Sequence, residues 1–219
     1  MTPHLERLSR DWADLPLGAP LWWFDSVPST NDVLKRRAEQ GAPEGSVVMA
    51  GAQTGGRGRL GRKWFSLPGL GLYLSVLLRP DWRAVDSGLA AFLASLAAVR
   101  CLRQLGVLRL TLKWPNDVLA DGRKIAGVLV EPRIGGDQIA FIVLGVGINV
   151  EHDETALAGV GNGCATSCRL QGCVASVEEV ASVLIRELAA LYGRVRQRGA
   201  DILLEEWLAN RTLAESSSS

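Results

Sequence analysis

The sequence predicts an α+β fold with a mixed or antiparallel central sheet flanked by helices. Three observations lead there. The segments rich in β-branched and aliphatic residues are short and closely spaced. Two links between them, Asp121-Gly122 and Gly135-Gly136-Asp137, carry the residues that tolerate the positive φ of tight hairpin turns. The helical patterns stand apart from these strands and do not alternate with them, which argues against a parallel βαβ sheet. At 219 residues the chain has the length of one domain and can bury a full core without disulfides or metal. Residues 1–210 are read as that domain, and 211–219, ending in four serines, as a disordered tail.

Residues 19–27 (APLWWFDSV) open the sheet as a strand. Ser29, Thr30, Asn31 and Asp32 offer capping side chains to a helix over 30–40, closed by Gly41. Residues 46–52 are a second strand, 53–70 a long glycine-rich loop, and 71–79 a third strand ended by Pro80. Residues 86–105 space alanine and leucine as a buried helix does, and Gly106 stops it. Strands follow over 108–114, 124–131 and 138–148, then an amphipathic helix over 176–198 and a short one over 201–209.

Composition excludes several classes. A formal net charge of +1 gives no global field to attract nucleic acid or an anionic membrane. No stretch approaches the roughly 18–20 apolar residues of a membrane span. The N-terminus mixes acidic and basic residues and has no apolar core, so it is no signal peptide, and a cytoplasmic location is expected. Cys101, in an apolar helical stretch, reads as a core thiol. Cys164, Cys168 and Cys173 form no paired C-x-x-C unit, so neither a disulfide framework nor a zinc site is expected. The segment 151–175 that carries them, with His152, is expected to be a flexible loop.

Gln53 to Trp64 (QTGGRGRLGRKW) is the most informative segment, with four cations and no acid in twelve residues. Glycines let backbone approach a ligand closely, and guanidinium forks suit phosphate. Gly56, Gly58 and Gly61 satisfy G-x-G-x-x-G, but no helix opens after them, as a dinucleotide fold requires. Gly56 and Gly61 also have the outer spacing of a Walker A loop, yet Arg62-Lys63 stands where Lys-Ser/Thr belongs. The alternative is a solvated basic loop, against which Trp64 and Phe65 supply an apolar hinge.

Lys113-Trp114-Pro115-Asn116-Asp117 ends a strand and projects polar groups from it; the bland reading is a common turn. Lys113 suits a phosphate, and Asp117 suits Mg²⁺ or a ribose hydroxyl. In Lys124 to Glu131 (KIAGVLVE), strict alternation puts Lys124 on the face of Ala126, the inward one, against the alternative of an exposed hairpin lysine. Gly145 and Gly147 strip side chains from one face of the last strand, leaving room for a flat group, with Asn149 beyond them; close strand packing is the alternative.

These clusters, in this order from Ser26 to Asn149, make the chain similar to the catalytic domain of biotin protein ligases. The resemblance implies the class II synthetase-like fold of biotin–lipoate ligases, with ATP and biotin as substrates and Mg²⁺ as the cation. It implies that Ser29, Thr30, Asn31, Gln53, Gly56, Arg57 and Gly127 hold biotin. Arg59 would fold over the acyl phosphate, and Lys124 would bridge the biotin carboxylate and the α-phosphate. Arg62, Lys63, Trp64, Lys113, Asn116, Asp117, Gly147 and Asn149 would bind ATP, Asp117 through the metal. The acceptor would be a biotin carboxyl carrier protein of a biotin-dependent carboxylase.

Some family members carry an N-terminal helix-turn-helix; too few residues precede the first strand here for one, so no nucleic-acid partner is expected. Members usually end in a small β-barrel domain, and none is expected within the residues after the last helix here. Exposed strand edges leave a homodimer open. Two alternatives remain: a lipoate or octanoate ligase on the same fold, and a non-catalytic relative that binds biotin or its adenylate.

Overall fold

A computed structural model describes residues 3–160 and 163–211. The expected disordered tail therefore lies outside the described residues except for Arg211, which bridges to Leu112. Seven strands form one mixed sheet: β1 (Leu21–Phe24), β2 (Val47–Ala50), β3 (Gly71–Leu78), β4 (Leu110–Lys113), β5 (Asp117–Ala120), β6 (Arg123–Gly135) and β7 (Gln138–Asn149). Their order is β1-β2-β3-β7-β6-β5-β4, with β1 and β2 parallel and every other pair antiparallel. The α+β expectation holds. The β5–β6 turn uses Asp121 at φ 50° and Gly122 at φ 73°, the positive pair that a two-residue hairpin demands.

The period of two assigns the faces. On β3, Leu72, Leu74, Val76 and Leu78 enter the main core, as do Ile142, Leu144, Val146 and Ile148 of β7. That face is covered by α3 (Leu89–Gln104) and α5 (Val177–Arg198), with α6 (Asp201–Asn210) packed on α3. A fully buried leucine of this kind contributes about 1.5–3 kcal/mol. A true capping box starts α5: the Ser176 hydroxyl accepts from Glu179 N–H, and the Glu179 carboxylate accepts from Ser176 N–H. On the opposite face α2 (Thr30–Glu39) packs Leu34 and Ala38 against Val48, Leu77, Phe141 and Val143. That helix covers only part of the sheet: its first turn reaches Ser75, Gly145 and Leu129, and beyond it lie Tyr73, Gly147 and Gly127.

Three expectations need correction, and one element comes without a sequence expectation. A helix, α1 (Pro3–Asp11), precedes the first strand. Its pattern is mostly polar, and Leu8 with Trp12 just beyond it, one helical turn apart, bury against the core. Residues 84–104 do form a helical stretch apolar and long enough to cross a membrane, but α3 is a core helix, with Leu93, Ala97, Cys101 and Leu102 fully buried. Lys124 does not share a face with Ala126. The β5–β6 register skips Ile125, pairing Val118 with Ala126 but Leu119 with Lys124, so this bulge turns Lys124 toward the face of Gly127. Finally, 151–160 and 163–175 form a packed strap. It contains α4 (Glu154–Leu157) and a 3₁₀ turn at Arg169–Gln171, and it buries Thr166, Ser167 and Cys168 completely.

Candidate active site

The floor of the site follows from strand register. Gly147 pairs with Tyr73 on one side and Gly127 on the other, and Gly145 pairs with Ser75 and Leu129. Neither β7 glycine is idle space. A β-carbon on Gly145 would stand 2.3 Å from Asn31 Oδ1, and one on Gly147 would stand 2.6 Å from Nε1 of Trp64. Both floor glycines are therefore set by close approach of other side chains.

One wall is the start of α2. Ser29 is its N-cap residue but makes no side-chain capping bond, against expectation; its buried hydroxyl borders the cavity instead. The open N–H of Thr30 is satisfied by Gln53 Oε1 at 2.9 Å, which ties the glycine–arginine loop to the helix. Gln53 Nε2 donates to Ser66 Oγ at 3.0 Å. Ser75 Oγ lies 2.8 Å from Thr30 Oγ1 and donates to Asn31 Oδ1 at 2.6 Å, while Asn31 Nδ2 donates to Glu131 Oε2 at 2.7 Å.

The loop itself is a small hairpin. Arg57 bridges to Lys63, Trp64 N–H donates to Gly56 O at 3.0 Å, and Arg59–Gly61 make a 3₁₀ turn at the tip. Arg57 is fully engaged by protein: its guanidinium makes a fork to Asp32 at 2.7 and 2.6 Å and reaches Glu131 at 3.0 Å. The hydrogen bond from Arg57 holds the Asp32 carboxyl below its usual range despite some burial. Arg59, Arg62 and Lys63 stay exposed on the hairpin tip, outside the cavity.

On the other side, the short β4–β5 turn brings Asn116 and Asp117 to the rim. Asn116 Nδ2 donates to Val128 O at 2.6 Å, and Asp117 pairs with Lys124 Nζ at 2.6 Å. Lys124 Nζ also sits 5.2 Å from the centre of the Trp64 ring. Lys113 is exposed and does not line the cavity. Asn149 is also apart from it: the amide is buried and donates to Thr166 O at 2.9 Å. The strap thus binds both ends of the site, since Lys124 N–H donates to Cys164 O at 2.7 Å and Thr166 N–H to Lys124 O at 2.9 Å.

Ser29, Thr30, Asn31, Gln53, Arg57, Trp64, Asn116, Lys124, Gly127 and Gly147 meet around one cavity; Gly56 backs it beneath Ser66 and Trp64. With Trp64 in place the cavity is ≈ 50 Å³. Asp32, Ser75, Glu131 and Thr166 complete the polar framework; the sequence placed Asp32 and Glu131 inside recognised clusters but assigned none of the four a role at the site. A signal existed for two: Ser75 is the one polar side chain of β3 apart from its tyrosine, and Glu131 follows Gly127 and Leu129 at a period of two.

Comparison with known proteins gives the framework its family. The model of the biotin/lipoate A/B protein ligase family matches residues 23–149. The chain belongs to that family. A biotin–[acetyl-CoA-carboxylase] ligase of Mycobacterium tuberculosis is 40% identical over 196 residues, covering 83% of this chain and 69% of that one. The bifunctional ligase/repressor BirA of Bacillus subtilis is 37% identical over 136 residues, 62% of this chain and 42% of that one. The chain spans about half the length of that protein and of its Escherichia coli counterpart, of which it covers 56%. Among solved structures, the biotin protein ligase of Aquifex aeolicus in complex with biotin and ATP superposes with a TM-score of 0.71 at 27% identity, covering 90% of this chain and 84% of that one. The fold is that of the biotin protein ligases.

Proposed function

We propose that the chain adenylates biotin with ATP and transfers the biotinyl group to a lysine of a biotin carboxyl carrier protein. The observation that carries this reading is the convergence of a buried polar wall, Ser29 to Asn31 with Gln53, and a cationic end, Lys124, on a floor cleared by Gly127 and Gly147. A compact polar heterocycle suits the first, and a carboxylate meeting a phosphate suits the second. The relatives named above support the choice of acid: the Mycobacterium protein is named a biotin–[acetyl-CoA-carboxylase] ligase, and the Aquifex one binds biotin and ATP.

In the first step a biotin carboxylate oxygen bonds to the α-phosphorus and pyrophosphate leaves. Two anions meet, so the barrier is largely electrostatic and needs placed cations more than a nucleophilic side chain. Lys124 is the cation closest to the floor, and its ammonium would move from Asp117 to the carboxylate and α-phosphate. Arg59 on the exposed hairpin tip would close over the acyl phosphate, and Arg62 and Lys63 would meet the departing pyrophosphate. In the second step the carrier's lysine amine attacks the acyl carbon and AMP leaves.

Mg²⁺ fits the residues present. It is commonly held by one or two carboxylates, water and substrate phosphates. Asp117 offers one such carboxylate, and among the described residues no group of three or more His, Cys, Asp or Glu side chains forms an all-protein site. Bound there, the cation would neutralise phosphate charge. Trp64 and Gly147 would enclose the adenine, with Lys113 and Asn116 toward the phosphates; Asn149 would serve through the strap. The open edge of β1 is where a second copy would pair. Thiols at Cys101, Cys168 and Cys173 support a reducing cytoplasm as the compartment.

The test is biotin-dependent ATP–pyrophosphate exchange with Mg²⁺, with lipoate and octanoate as controls. Exchange with biotin alone is expected. Exchange with lipoate or octanoate in its place would move the chain to the other branch of the family, and exchange with no acid would overturn the ligase reading.

A further inference from the structure

Glu131 does not line the cavity, yet its carboxylate accepts from Asn31 and Arg57, which do. We infer that it is a positioning residue: its carboxylate sets the direction of a hydrogen-bond chain, Glu131–Asn31–Ser75–Thr30, so that Thr30 presents an acceptor to the acid's ring. The inference rests on the biotin reading above and deepens it, because it concerns selection of a ring that carries N–H groups.

The direction follows link by link. An ionised carboxylate accepts only. The group of Asn31 that lies 2.7 Å from Glu131 Oε2 must therefore be its Nδ2, a donor that also lies 3.5 Å from Leu129 O. That fixes Asn31 Oδ1 toward Ser75, whose single hydroxyl proton goes to it at 2.6 Å. The 2.8 Å contact between Ser75 Oγ and Thr30 Oγ1 then has Thr30 as donor. The rival acceptor for that proton, Gln53 Oε1, is farther at 3.2 Å and already accepts the Thr30 N–H. With its proton drawn away toward Glu131, Thr30 Oγ1 keeps lone pairs for the cavity it borders. Burial makes the order stringent: Ser75 is fully buried and Thr30 and Asn31 nearly so, so water cannot repair a reversed link. The carboxylate is held in place by Arg57, which reaches both of its oxygens at 3.0 and 3.2 Å.

Glu131→Gln discriminates this role from simple packing. An amide in that place has one acceptor and one donor, yet two donors, Arg57 and Asn31 Nδ2, face it. The relief is an Asn31 flip, which turns Nδ2 toward Ser75 and sends the hydroxyl protons the other way, toward the cavity. Ser75→Ala cuts the chain one link on without touching the Arg57 ion pair.

The experiment is calorimetric titration of the purified full chain, wild type and both variants, with biotin and with a biotin whose ring nitrogens are methylated. Wild type should prefer biotin over the methylated form, and each variant should lose about tenfold or more of that preference, equivalent to about 1.4 kcal/mol. Affinity for ATP alone should change less than about threefold, a margin under 1 kcal/mol. A preference unchanged in Glu131→Gln or in a folded Ser75→Ala overturns the inference and leaves the ligase reading intact. Failure of the wild-type chain to bind biotin overturns the reading on which the inference rests, and the inference with it.

Discussion

The Trp64 indole lies on Gly147 so closely that a β-carbon there would stand 2.6 Å from its Cε2 and Nε1. The same ring covers Gly127, where a β-carbon would be 3.0 Å away. With this plug in place the cavity is ≈ 50 Å³, against the ~300–1,000 Å³ that small-molecule sites enclose. The ring's buried Nε1 has no hydrogen-bond partner. An unmade bond of this kind costs about 1–3 kcal/mol, which lowers the cost of swinging the hairpin aside for a ligand.

Gly147→Ala should therefore expel Trp64 and unseat the hairpin. Overpacking of this kind costs about 1–3 kcal/mol. Trypsin should cut faster within 57–63, where three arginines and a lysine lie on the hairpin. Pyrophosphate exchange should drop by about tenfold, corresponding to about 1.4 kcal/mol of transition-state stabilisation. Wild-type cleavage rates together with wild-type exchange would mean that the close approach has no bearing on the site.

Lys124→Gln should abolish most adenylation while leaving biotin binding nearly intact. The substitution keeps a polar, uncharged end on a side chain one atom shorter and removes the charge that now pairs with Asp117 at 2.6 Å. Loss of one placed electrostatic contact to developing charge lowers kcat by roughly 10²–10³. The check is exchange rate against biotin Kd on the same preparation. A variant that exchanges within threefold of wild type would remove Lys124 from the chemistry.

The face-by-face arrangement of this site was legible in the sequence because a strand alternates strictly: glycines two apart on β7 announce a cleared face before any coordinate is seen. Lys124 was misread by the same rule, because skipping Ile125 in the β5–β6 register has no mark in the local sequence. Asn31 and Asp32 lay inside a recognised cluster, but their partners are Glu131 and Arg57, 100 and 25 residues away, and no local pattern encodes such pairings. The strap at 151–175 looks like a loop because its apolar residues have no period. It is ordered by tertiary hydrogen bonds, such as Cys168 N–H to Asn149 O at 3.0 Å.

Asp32 gives an acid-side prediction. Its carboxyl is held low chiefly by the hydrogen bond from Arg57, with nearby Arg36 and Lys35 adding to the field. A depressed folded value means that the unfolded chain binds the proton more readily. The contribution is thus present above the unfolded carboxylate value and is lost as pH falls through the folded one. The pair is partly exposed, 31% and 41%, so solvent screens it and about 0.2–1 kcal/mol is at stake. Asp32→Asn should lower Tm by no more than about 2–4 °C at neutral pH. The variant and wild-type curves should begin to approach each other below about pH 4, the ordinary carboxylate value, and converge only as pH passes the lower folded one. Curves that stay parallel through that range would show that the Arg57 contact carries no stability.

His152 gives the opposite end of the strap a pH dependence of its own. It is 1% exposed, burial lowers its pKa, and its Nδ1 has no partner, while the nearby Asp153 charge and a hydrogen bond to Leu70 oppose the shift. In the unfolded chain the imidazole takes its proton near the usual 6.5; in the folded chain it resists. Between those values the unfolded state binds more protons, so stability is full above 6.5 and declines as pH falls toward the folded value. Ser167 Oγ donates to His152 O at 2.6 Å, and its two neighbours, Thr166 and Cys168, pair with Lys124 and Asn149. Loosening at His152 should therefore reach the site. Calorimetry and pyrophosphate exchange from pH 7.5 to 5 should both decline less steeply in His152→Gln than in wild type. Equal slopes in the two proteins would assign the acid sensitivity to other groups.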